Sequence, residues 1–146
     1  MRRFLKFLPL MFAAVAATVL WSCSDDDNFV PADELPVAAR SFLSTYYPKV
    51  AVETVEMDGN EYEAVLANGH TVDFNAAGEW IDVDAPAGQT VPSGFYPATI
   101  DAYVAQNFPG SGINEISVTM LGYDVDLVSG IELMFSPTGE FIGVDL

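Results

Sequence analysis

The chain has 146 residues, 21 acids against five bases, a formal charge of −16 and an apolar content of 51%. That length suits one domain, and that charge repels nucleic-acid phosphates and anionic head groups, so the partners it favours are basic proteins or divalent cations. A single cysteine, Cys23, excludes an intramolecular disulfide, and a single histidine, His70, leaves too few nitrogen and sulfur ligands for zinc.

In chain order, Arg2, Arg3 and Lys6 precede an apolar run over residues 8–20 that ends at small Ser22 and then Cys23. This order resembles a bacterial lipoprotein signal, although Trp21 is bulky for its place. It predicts removal of residues 1–22, lipidation of Cys23, an acidic tether over 23–33 and one domain over 34–146. Ser24-Asp25-Asp26-Asp27 resembles the acidic export signal of Bacteroidetes lipoproteins, which implies an outer-membrane anchor with the cell surface slightly favoured over the periplasmic side. Three of the five bases and none of the acids lie in the first 22 residues, so the remainder carries −19, opposed only by Arg40 and Lys49.

The domain repeats itself. An offset of 61 aligns residues 36–84 with 97–145 without a gap, and 11 of 49 positions are identical, among them Pro36/Pro97, Tyr62/Tyr123, Gly69/Gly130, Phe74/Phe135, Gly78/Gly139 and Asp84/Asp145. Chance gives roughly three, so a duplication with copies at about 34–84 and 95–145 is the economical reading. Each copy opens with apolar residues at helical spacing: Leu35, Ala38 or Ala39, Phe42, Leu43 and Tyr46, then Tyr96, Ile100, Tyr103, Val104 and Phe108. Asp33 is the expected cap of the first helix, Pro36 suits its first turn, and Pro48 and Pro109 stop the two helices. The period then changes from 3.6 to 2, which predicts strands at 50–57, 61–67, 70–75 and 79–84, and at 113–120, 122–128, 131–135 and 140–145. Asn68-Gly69 and Ser129-Gly130 supply hairpin turns, so neighbouring strands run antiparallel. The expected class is α+β: a tandem repeat of a helix plus about four antiparallel strands, with two helices on one face of a shared sheet.

Alternation assigns the faces. Ala64, Leu66, Val72, Phe74, Ile81 and Val83, with Val125, Leu127, Leu133, Phe135, Ile142 and Val144, are expected to meet the helices. The other face is expected to carry Glu61, Glu63, Asp73, Trp80, Asp82 and Asp84, then Asp124, Asp126, Glu132, Met134, Phe141 and Asp145. On that reading Trp80 and Phe141, with Met134, are apolar anchors set among Asp82, Asp84, Asp124 and Asp126.

These residues carry a resemblance. A helix, Tyr-Pro or Phe-Pro, a Tyr-initiated strand, an x-Gly hairpin and Phe-x-x-x-Gly-Glu-aromatic-Ile, twice over behind a lipoprotein signal, are similar to the "putative beta-lactamase-inhibitor-like, PepSY-like" proteins of Bacteroidetes. The resemblance spans about residues 34–145 and implies a sheet that binds protein, extending to inhibition of a hydrolase. It supplies no catalytic residue.

Enzymatic chemistry finds little support. His70 has no nucleophile motif beside it and reads as a structural histidine. Paired acids Asp82/Asp84 and Asp124/Asp126 could offer oxygen ligands to calcium, but no Asp-x-Asp-x-Asp-Gly loop wraps an ion, so calcium is the weaker alternative and no metal site is assigned. The sequence therefore predicts a lipid-anchored, non-enzymatic binding module without a cofactor. Its partner is a protein or peptide with basic and apolar groups. The rivals are a structural envelope lipoprotein and a small hydrolase, the latter needing a pocket with convergent polar groups.

Overall fold

The computed structural model describes residues 28–145. The signal over 1–22, Cys23 and the first part of the tether lie outside the described residues. A short 3₁₀ turn at Ala32–Glu34 leads into α1 (Val37–Tyr46), followed by β1 (Val52–Asp58), β2 (Glu61–Leu66), β3 (Thr71–Phe74) and β4 (Trp80–Asp84). The same order then recurs: α2 (Ala98–Asn107), β5 (Ile113–Thr119), β6 (Gly122–Leu127), β7 (Glu132–Phe135) and β8 (Phe141–Asp145). Asp33 does not cap α1. It belongs to the 3₁₀ turn, and Pro36 and Pro97 occupy the N-cap positions without a side-chain hydrogen bond. Proline needs no amide partner there and its fixed φ suits helix entry.

The eight strands form one sheet in chain order, β1 to β8, every neighbouring pair antiparallel. The hairpins of the two halves are built alike. Gly69 N–H donates to the Leu66 carbonyl and Gly130 N–H to that of Leu127, both at 2.8 Å, and both glycines have positive φ. Gly78 and Gly139, in the β3–β4 and β7–β8 turns, also have φ +81°. A methyl on Gly78 would lie 2.7 Å from Pro36 Cβ and 2.9 Å from the Ala39 amide nitrogen, so the bare backbone is what lets α1 settle on the turn.

Both helices cover one face. Ala39 and Leu43 of α1 and Ile100 and Val104 of α2 are buried over Val55, Ala64, Leu66, Val72, Phe74 and Val83 and over Ile116, Val125, Leu127, Leu133 and Phe135. The residues predicted to face the helices on β2, β3, β6 and β7 do so. Between α1 and α2, Phe95 from the connecting segment sits with ring centroids 5.1 Å from Phe42, 5.3 Å from Tyr46 and 4.9 Å from Trp80, while Tyr46 Oη donates to the Gly94 carbonyl at 3.1 Å. These edge-to-face rings add to the area they bury and tie the connection to both halves.

Each half also carries a register shift at the same place. Asp73 pairs with Asp82 but Phe74 with Trp80, and Met134 pairs with Gly143 but Phe135 with Phe141. One extra residue, Ile81 or Ile142, is thereby accommodated in the later strand, as a β-bulge requires.

Truncating Phe95 to alanine removes the ring shared by four aromatic neighbours, Phe42, Tyr46, Trp80 and Tyr96. Thermal or urea unfolding should show a loss of about 2–3 kcal/mol, in the range of partly buried aromatic truncations.

Candidate functional site

The face opposite the helices is built from two cross-strand rows. The first runs Glu56, Glu63, Asp73, Asp82, Ser117, Asp124, Met134, Gly143 from β1 to β8. The second runs Thr54, Val65, Thr71, Asp84, Glu115, Asp126, Glu132, Asp145. Glu56, Glu63, Asp73 and Asp82 stand on consecutive strands, and so do Asp84, Glu115, Asp126, Glu132 and Asp145. Directly opposed side chains on paired strands have Cβ atoms about 5 Å apart, where like charges oppose folding. The basic residues of the described chain do not answer them, since Arg40 lies in α1 and Lys49 in the turn after it.

Burial and crowding favour the protonated form of these carboxyls. Burial, and then the charges of Glu115, Asp73 and Asp84, push Asp82 up to about 8, and its Oδ1 is buried without a hydrogen-bond partner. Asp73 rises to about 7 through burial followed by Glu63, Glu61 and Asp84. Glu115 rises to about 7 through burial followed by Asp126, Asp84 and Glu132, and Asp126 to about 6 through burial followed by Glu132 and its other acidic neighbours. Glu63, Asp84 and Asp124 are raised as well, burial being the first cause in each. A cation arriving on this face would displace protons and relieve repulsion in one step.

Of the residues expected on this face, Asp82, Asp84, Asp124, Asp126 and Met134 are there. Trp80 and Phe141 are not. The register shift carries each onto the helix side, in line with Phe74 and Phe135. Trp80 packs edge-on to Phe95 at 4.9 Å and parallel to Tyr123 at 6.1 Å. Phe141 stacks on Tyr103 of α2 at 4.3 Å with the planes 13° apart. Strict alternation counted back from Val83 and Val144 misplaces any residue beyond the inserted one, which is why these rings appeared to point outward. Trp80 packs against the connecting segment and β6, and Phe141 against α2.

Glu115 is the acid that alternation had left unplaced. β5 has its own register shift between Ile113 and Glu115, so its pattern reads cleanly only when counted outward from Ile116. Done that way, Glu115 and Ser117 fall opposite Ile116 and Val118.

His70 is buried, and its Nδ1 is 3.1 Å from the Tyr47 hydroxyl. Burial lowers its pKa and raises that of Tyr47. The pair closes a core edge next to the β2–β3 turn. Among the described residues no group of three or more carboxylate, imidazole or thiol side chains is gathered to hold a metal ion. A crevice of about 230 Å³ beside Asn114, Asp126 and Glu132 is smaller than ordinary ligand pockets of roughly 300–1,000 Å³. The Asn114 amide there is already engaged by the carbonyls of Ala85, Pro86 and Gln89.

A family profile described as "Putative beta-lactamase-inhibitor-like, PepSY-like" matches residues 20–68 and 60–143. Among solved structures, one of a "putative calcium-regulated periplasmic protein" from Bacteroides thetaiotaomicron is 29% identical, with a TM-score of 0.74 over 84% of this chain and 98% of that one. A putative periplasmic protein from Bacteroides vulgatus is 29% identical with a TM-score of 0.72, covering 84% and 99% of the two chains. Another from the same species, of unknown function, is 30% identical with a TM-score of 0.72, covering 80% and 95%. Comparison with curated proteins gave no match.

Acids with raised pKa bind more protons folded than unfolded, so stability falls as pH rises from the ordinary carboxylate value of about 4 through the folded values near 6–8. The melting temperature should accordingly be higher at pH 5 than at pH 8. Asp82→Asn should stabilise the protein more at pH 8 than at pH 5, by at least about 1 kcal/mol or roughly 4 °C in Tm. Equal gains at both pH values would show that the charge of Asp82 is not what opposes folding.

Proposed function

The chain belongs to the family described as putative beta-lactamase-inhibitor-like, PepSY-like, and from that premise we propose an envelope binding module, lipid-anchored at Cys23, whose acidic sheet face takes the cationic groups of a protein or peptide. It works by stoichiometric capture and has no catalysis of its own. Inhibition of a hydrolase is the form of capture that the family description suggests. A duplicated helix-plus-four-strand unit gives the face its width, and the anchor sets its place at the outer membrane.

The observation that carries this reading is the pair of acidic rows with carboxyls raised to about 6–8. Such a face is destabilising on its own and becomes favourable when a cation covers it. Met134 supplies an apolar contact within the first row. Basic groups of a partner would take the places that Arg40 and Lys49 leave unfilled. Periplasmic descriptions of the similar solved structures agree with a position in the envelope.

Calcium is a second reading, supported by the description of the Bacteroides thetaiotaomicron protein as calcium-regulated. Carboxylate oxygens are its natural ligands. On this face it would act by neutralising rows of charge.

Affinity capture from envelope extract should compare the wild-type chain with a face-neutralised variant carrying Asp82→Asn, Glu115→Gln and Asp126→Asn, with and without calcium chloride. A basic partner held one to one by the wild type and lost at least tenfold with the variant is the expected result. Undiminished capture by the variant would overturn the acidic-face reading. In parallel, calcium should raise Tm more at pH 8 than at pH 5, because protons already neutralise the face at the lower pH.

A further inference from the structure

The two ends of the sheet are unlike. β1 has its outer edge covered by the preceding chain: Val30 N–H donates to the Val55 carbonyl and Met57 N–H to the Asn28 carbonyl, each at 2.9 Å, with Phe29 bridged to Glu56. β8 ends the sheet with no strand beyond it among the described residues.

The other half of the molecule records what fits such an edge. β4 and β8 are equivalent in length, in the position of their bulge and in their pairing to β3 and β7. β4 is covered by β5 through Asp82↔Ser117, Val83↔Ile116 and Asp84↔Glu115. Beneath that cover Val83 is 0% exposed, whereas its counterpart Val144 is 42% exposed and Ile142 53%. Ala85 N–H donates to the Asn114 carbonyl at 2.9 Å, so residues 85 and, two before it, 83 direct their backbone groups towards β5. Val144 holds the place of Val83 and presents its N–H and carbonyl to solvent. An uncovered strand edge with exposed apolar side chains can template further pairing.

We propose that the β8 edge accepts an extended segment of a partner polypeptide, added antiparallel as a ninth strand, in which apolar and cationic side chains alternate. The side chain opposite Val144 lies on the helix side, beside the apolar surfaces of Val144 and Phe141, and takes the role of Ile116. Its two neighbours lie opposite Gly143 and Asp145, where Asp124, Glu132 and Asp145 present negative charge. A second copy of this chain suits the edge poorly, because its strands bring further acids to the same face and its β1 edge is already covered. Strand addition is independent of the acidic-face reading, while the preference for cationic residues rests on it.

The probe is a labelled peptide of residues 112–119 carrying Glu115→Lys and Ser117→Lys, titrated against the chain by fluorescence anisotropy at low salt. It should bind saturably and slow hydrogen exchange at the Val144 amide. Methylating the peptide nitrogen at the Ile116 position, whose N–H donates to the Val144 carbonyl, should weaken binding at least about tenfold. So should Val144→Pro in the protein, which removes the outward N–H and leaves the β7 ladder intact, as edge prolines do. If the proline variant does not fold, the methylated peptide and the Val144 exchange rate decide on the wild type. No binding of the lysine peptide, or equal binding of its methylated form, overturns strand addition. If the unsubstituted peptide, with Glu115 and Ser117, binds as tightly as the lysine form and still loses affinity on methylation, the edge stands and the cationic preference falls.

Discussion

Three residue pairs between β4 and β5 hold the molecule together as one body. Asp82↔Ser117, Val83↔Ile116 and Asp84↔Glu115 join the last strand of one helix-plus-four-strand unit to the first strand of the next. On the helix side this places fully buried Val83 against fully buried Ile116, so the apolar layers of the two halves become continuous. On the other side it sets Asp84 against Glu115 and brings the acids of both halves into one field. The contact that completes the core is therefore also the one that concentrates the charge. A separated half would leave Val83 or Ile116 at an open edge, as Val144 is at β8.

Much of this plan was legible in the sequence, and the two misassigned rings have a common cause. The strands on either side of each x-Gly turn were placed within one or two residues, because a positive-φ glycine between two alternating runs is a strong local signal. The helices were legible from apolar spacing and from Pro48 and Pro109. Trp80 and Phe141 were assigned to the wrong face because alternation assumes an unbroken ladder, and the bulges at Ile81 and Ile142 insert a residue that no local motif announces. Glu115 was given no face, although Glu115 to Thr119 alternate without a break beyond the shift at Ile113. The acidic residues themselves were readable, but their raised pKa values depend on which strands become neighbours, and β4 meets β5 only after about 30 residues of intervening chain. Phe95, at the start of the second copy and given no role by its sequence context, gains its role from three partners that are distant in sequence.

The acidic face has an energetic logic that the core makes affordable. Apolar burial between helices and sheet is large enough to support a surface whose carboxyls crowd one another, and partial protonation lowers the cost near neutral pH. Trp80 and Phe141 belong to that support: by packing on Phe95, Tyr123 and Tyr103 they strengthen the layer beneath the charged rows. Stability and surface chemistry are thus divided between the two faces of the same strands.

The covered β1 edge also orients the molecule in space. Asn28 is fixed against Met57, and five peptide steps separate it from Cys23, a reach of at most about 18 Å. In the lipid-anchored protein proposed above, β1 is therefore held near the bilayer. Seven strand spacings, about 33 Å along the sheet, then separate it from β8. Under that proposal the β1 edge lies nearest the anchor and the uncovered β8 edge farthest from it.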